Sequence, residues 1–139
     1  MITNIKLYLL SIFCFVCIDA VWLGVISPSF YQQHIGELMR EQFLLAPAVA
    51  FYLIFLIGLQ FFVVMPNLRH SLKRCAGHGA LFGFVTYATF DLTSHAVLEG
   101  FPLIVVVIDL VWGSLLSMSV STASLWMARK IRLAPPASN

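Results

Sequence analysis

Apolar residues run almost unbroken through four stretches of the chain, 6–27, 43–65, 79–99 and 103–126, with polar residues gathered between them. About 20 apolar residues of helix, rising ~1.5 Å each, cross the ~30 Å of hydrocarbon in a bilayer. Each stretch is long enough to span. The pattern predicts an all-α membrane protein, a four-transmembrane-helix bundle forming a single membrane domain over residues 1–139. After the first span, Ser27-Pro28 offers a cap followed by proline at the first helical position. Tyr31, Ile35, Leu38 and Met39 then recur at helical spacing opposite Gln32, Gln33, Glu37 and Arg40. This predicts a short amphipathic helix lying on the outer membrane face over 28–42. Residues 66–78 read as a basic cytoplasmic loop and 131–139 as a disordered tail.

Composition removes the alternative of a water-soluble fold. Of the 139 residues 60% are hydrophobic and only 10% charged, with a mean hydropathy of +0.94, whereas soluble domains carry roughly 25% charge. The few charges are segregated. With the N-terminus inside, Lys6, Arg69, Lys73, Arg74, Arg129, Lys130 and Arg132 fall on the cytoplasmic side and only Arg40 on the other. That asymmetry predicts an N-in, C-in orientation. The basic loop reads as a topology signal with affinity for anionic lipid. Membrane lipid is the expected partner, self-association into a homo-oligomer stays open, and no nucleic acid is expected. The first span is not expected to be a cleaved signal peptide, because Asp19 interrupts it and no Ala-x-Ala site follows. Cys14, Cys17 and Cys75 do not form a disulfide framework, and the C-x-x-C pair reads as buried small hydrophobes.

The third span carries the clearest pattern. Every fourth residue reads Gly79, Gly83, Tyr87, Asp91, His95, Glu99, one slowly drifting stripe that is small at one end and ionisable at the other. In the fourth span the same step reads Asp109, Gly113, Ser117, Ser121. Small residues allow close helix approach, so the two stripes are expected to face each other. In the second span Tyr52 and Gln60 are the polar groups able to face inward. The first and fourth spans also echo one another: Ile18-Asp19-Ala20-Val21-Trp22 against Ile108-Asp109-Leu110-Val111-Trp112. Counted along the helices, Asp19, Asp91 and Asp109 fall at a similar depth.

A charged carboxylate at the centre of a spanning helix costs roughly 2.5–3.5 kcal/mol, so these acids must face the bundle interior and find partners or take up a proton. No Lys or Arg lies at their depth. The expected ligand- or ion-binding set is Asp19, Trp22, Tyr87, Asp91, His95, Asp109 and Trp112, with Asp91 and His95 the candidates for catalysis. Four uses are open. The acids could be interhelical ties, a proton or cation site for transport, or an enzyme site on a lipid-soluble substrate, with Asp91 and His95 as a base pair and Trp faces against a cationic intermediate. A metal site from Asp91, His95 and Asp109 has only the Asp-x-x-x-His spacing behind it; no metal or cofactor is expected. His34, His70 and His78 read as solvated or interfacial. Whether the chain is an enzyme stays open.

Several short motifs occur together in one order: Asp19-x-x-Trp22-Leu23-Gly24, Pro47-Ala48-x-x-Phe51-Tyr52, Phe61-Phe62-Val63-Val64-x-Pro66, Gly79-Ala80-Leu81-Phe82-Gly83, Tyr87-x-Thr89-x-Asp91-Leu92-Thr93 and Asp109-x-x-Trp112-Gly113. In this the chain resembles, from about residue 15 to 125, a bacterial predicted membrane protein family of unknown function. The resemblance implies a four-span, multi-pass protein of the bacterial cell inner membrane. It implies no reaction, substrate or site. Binding or translocation of a small ligand, proton or cation is the leading expectation, with a membrane-embedded enzyme and a structural or assembly partner as alternatives.

Overall fold

The computed structural model describes residues 2–137, with side chains from Asn4 onward. The described residues form helices and connecting turns, with no strand among them. In chain order these are α1 (Ile2–Val21), a wide π turn (Trp22–Ile26), α2 (Ser27–Ile35), a 3-10 turn (Gly36–Leu38), α3 (Leu45–Leu59), a second π turn (Gln60–Val64), a 3-10 turn (Met65–Asn67), α4 (Leu72–Val97) and α5 (Leu103–Lys130). Three continuous helical stretches, Asn4–Leu38, Leu45–Asn67 and Leu103–Lys130, are long and apolar enough to cross a membrane. α4 falls short of that standard because its sequence holds Lys73, Arg74, His78, Asp91 and His95. It nevertheless packs antiparallel along α5. A Cβ at Gly79 would strike Ser117 and Ser121, one at Gly83 would strike Gly113 and Ser117, and the Tyr87 ring lies on Gly113. The two stripes expected to meet do meet, and α4 therefore runs at the depth of α5.

The distribution of polarity is the reverse of a soluble domain's. Ser11, Asn67, Asp91, Ser117, Ser121 and Ser124 have no exposed surface, while Val25, Phe43, Ile54 and Val97 are each more than two-thirds exposed. An apolar exterior of this extent marks contact with lipid. The interior is held by Phe15, Phe55, Leu56, Leu59, Val63, Leu116, Val120 and Leu125. Long-range ties fix which ends share a level. Gln60 Nε2 donates to the Asn4 carbonyl (3.0 Å) and the Tyr8 hydroxyl to the Leu53 carbonyl (2.9 Å), while Cys14 Sγ lies 3.7 Å from Met127 Sδ. The start of α1 thus lies at the end of the molecule that carries residues 60–72 and the end of α5, here called the basic end.

Three boundaries differ from the sequence reading. The amphipathic stretch 28–42 is not a separate helix: the chain passes from α1 through the π turn into α2 without leaving helical geometry, because Pro28 at a first-turn position removes no hydrogen bond that the wide turn needs. The expected loop 66–78 is helical from Leu72, where the Ser71 hydroxyl caps the helix by accepting from Arg74 N at 3.2 Å. What remains of the loop is tied down by the Arg129 guanidinium, which donates to the carbonyls of Leu68 (3.2 Å) and His70. The tail expected to be disordered from residue 131 is ordered through Ala134. Leu133 N reaches the Ala128 carbonyl (2.7 Å), Arg132 N reaches that of Arg129 (3.1 Å), and Arg132 sits at φ 58°. That is a Schellman cap, with arginine where glycine is usual. Residues 138 and 139 of that tail lie outside the described residues. Of the C-x-x-C pair, expected to be buried, Cys14 is buried but Cys17 is exposed on the surface of α1.

Candidate functional site

The two Asp-x-x-Trp motifs of α1 and α5 come together away from the basic end. The indoles of Trp22 and Trp112 stack at 4.4 Å between centroids, 11° from parallel. This stack crosses the motifs. Asp19 of α1 is engaged by the Trp112 indole of α5 and by the Tyr52 hydroxyl of α3. Asp109 of α5 accepts a hydrogen bond from the Tyr31 hydroxyl of α2, and Tyr31 is in turn engaged by Trp22. Both acids are almost fully buried; Asp109 has in the Tyr31 hydroxyl the partner that burial demands, and Asp19 is faced by two groups able to donate to it, Tyr52 and Trp112.

Asp91 is different. It has no exposed surface, its carboxyl faces that of Asp109, and no N–H or hydroxyl group donates to either of its oxygens. Leaving such a group unpaired costs ~1–3 kcal/mol or more. Next to it a cavity of about 480 Å³ opens. Its walls are largely apolar, from Ile35 of α2, Phe51 of α3, Phe90 of α4, Phe101 of the α4–α5 turn and Val105 of α5, with Tyr31, Asp91 and Asp109 toward the inner end. Phe51 and Phe90 are exposed, so the mouth lies on the lipid-facing surface, where α3 stands away from α4. A smaller groove of about 210 Å³ lies between α1 and α3 and ends on Asp19 and Tyr52. Tyr87 stands between the two acid groups: it lines the cavity with Asp91 and Asp109, and its hydroxyl is within electrostatic reach of Asp19 and Tyr52 as well.

Of the expected site residues, Asp19, Trp22, Tyr87, Asp91, Asp109 and Trp112 are thus gathered in one region, with Asp19 separated from the facing Asp91–Asp109 pair by Tyr87. His95 is not brought in. α4 ends at Val97, the chain turns through Gly100 at φ 80°, and His95 Nδ1 is held at 2.7 Å from the Phe101 carbonyl. No Asp91–His95 pair forms. Among the described residues no group of three or more His, Cys, Asp or Glu could hold a metal ion.

Tyr31 belongs to the site and its sequence position hides this. Nine residues of regular helix, about two and a half turns, would place it opposite Trp22. The π turn at Trp22–Ile26 takes up an extra residue and swings Tyr31 back by about a quarter turn. Deleting Gly24, whose Cβ position faces open space, should restore a regular helix and carry Tyr31 off Asp109. The deletion and Tyr31→Phe should each cost about 1–3 kcal/mol in detergent melts, and the double variant little more than the larger of the two. Additive losses would show that the turn does not serve this bond.

Comparison with known proteins agrees with what the helices show. No curated protein and no solved structure matches the chain. A family model described as Predicted membrane protein (DUF2177) matches residues 4–126, which takes in every residue of the cavity and of both Asp-x-x-Trp motifs. The chain belongs to this family of membrane proteins of unknown function.

Proposed function

We propose that the protein binds a small lipid-soluble molecule that enters sideways from the membrane. The observation that carries this reading is Asp91: a buried carboxyl with both oxygens unpaired beside a largely apolar cavity whose rim is exposed. Ligand pockets are typically apolar, with a few placed polar groups, and an unsatisfied acid in a membrane span is a functional residue by default. The basic residues gathered at one end support the N-in, C-in orientation in the bacterial inner membrane, with the acids in the outer half of the spans. Translocation would require the two grooves, one on either side of α3, to be joined past Tyr87. The enzyme reading loses support where it relied on an Asp91–His95 base pair, because His95 is committed to the Phe101 carbonyl.

The test is photolabelling in lipid nanodiscs with dodecyl probes that carry a diazirine in the chain and end in an alcohol, an ammonium or a carboxylate. At least one probe should label Tyr31, Phe51 or Phe101 saturably, while labelling of lipid-facing Phe61 and Leu81 rises in proportion to concentration. Thr86→Trp, which fills the cavity from its α4 wall, should reduce the saturable labelling at least tenfold. If no probe labels the cavity saturably, the acids are ties between helices and the proposal fails.

A further inference from the structure

The proposed site also constrains the chemistry of its ligand, and this step rests on that reading. We infer that the ligand is an amphiphile with a protonated amine head, seated with its nitrogen at the Asp91–Asp109 pair and its apolar body against Phe51, Phe90 and Phe101. Hydrogen-bond capacity and charge both point this way.

Asp109 already accepts from Tyr31, whereas Asp91 has two buried oxygens that accept from nothing. A ligand completing the site must bring N–H or O–H donors, and more than one. An ammonium brings several; an alcohol brings one; a carboxylate or phosphate brings acceptors to a place already crowded with them. The nearby side chains with polar atoms, Tyr31, Tyr87 and Thr86, do not supply the missing donors: Tyr31 is spent on Asp109, Thr86 on the carbonyls of Phe82 and Gly83, and the Tyr87 hydroxyl makes no hydrogen bond to either Asp91 oxygen.

The charge balance agrees. No Lys or Arg lines the cavity. Asp91 and Asp109 face each other in an apolar wall without a cationic partner. Of the three head groups only an ammonium brings positive charge and donors together to such a pair. A neutral alcohol brings no charge, and an anion adds a third acidic group to two that already face each other.

The same three dodecyl probes test this, because they differ only in the head group. In the wild-type protein the ammonium probe should half-saturate cavity labelling at a concentration at least ten times lower than the alcohol, and the carboxylate should not compete with it. In Asp91→Asn the ammonium advantage should shrink to less than about twofold, with alcohol labelling retained; Asp19→Asn, on the far side of Tyr87, should keep the full advantage. The wild-type ranking needs no variant, so a misfolded Asp91→Asn does not rescue the inference. Equal or better labelling by the alcohol or carboxylate overturns the amine assignment and leaves the cavity reading standing, as does an ammonium advantage that survives in Asp91→Asn. Absence of saturable labelling by every probe overturns the cavity reading itself.

Discussion

Gly83→Val is expected to leave little folded protein in mild detergent. A Cβ on residue 83 would run into the carbonyl and carbonyl carbon of Gly113 and the Ser117 hydroxyl, so the obstacle is largely main chain. Overpacking that side chains can absorb costs ~1–3 kcal/mol; here α4 and α5 would have to separate, and the loss should exceed about 3 kcal/mol. The same separation would withdraw Asp91 from Asp109 and unseat the Tyr87 ring from Gly113. Gly24→Val is the matched control, since nothing lies within 4 Å of a Cβ there. Size-exclusion profiles and melts check both. A Gly83→Val protein that melts with the wild type would mean that α4 and α5 do not pack as described.

Asp91→Leu should do the opposite and raise stability by about 1–3 kcal/mol. The substitution removes a carboxyl that is buried without hydrogen-bond partners and that faces another carboxyl, and the adjoining cavity gives the new side chain room. An unpaired buried polar group costs about that much, and a residue that is expensive for the fold but kept for a task is the usual signature of a trade between stability and function. Tyr31→Phe makes the contrast, because it strips Asp109 of its donor and should destabilise by a similar amount. If Asp91→Leu loses stability as Tyr31→Phe does, Asp91 is a structural tie and not a waiting ligand group.

Much of the helix pairing was readable along the chain because it depends on local repetition. A four-residue step keeps Gly79, Gly83, Tyr87 and Asp91 on one face of any helix, and the small size of Gly79 and Gly83 made α5, with Gly113, Ser117 and Ser121, the natural partner. The Asp-x-x-Trp echo likewise foreshadowed the stacked indoles. Other features depend on where helices stop or change pitch. The stripe continues in sequence to His95 and Glu99, but the helix ends at Val97 and His95 turns to the next loop. Tyr31 enters the site through a π turn that hydropathy does not register, and it lay in a segment expected to rest on the membrane surface. Tyr52 was visible as a polar group able to face inward, without a sign that Asp19 would be its partner. The cavity itself depends on how far α3 stands from α4, a spacing set by Phe55 against Phe82 and Tyr87, and no single segment encodes it.

The most direct measurement is infrared difference spectroscopy of the carboxyl C=O stretch in nanodiscs, taken before and after saturation with dodecylammonium or dodecanol. Occupancy should perturb a carboxyl band in the wild-type protein, leave that response intact in Asp19→Asn and abolish it in Asp91→Leu. Unchanged carboxyl bands while the cavity is demonstrably labelled would contradict the account, because the ligand would then be sitting in the membrane protein without touching the buried carboxyl whose two oxygens lack hydrogen-bond partners.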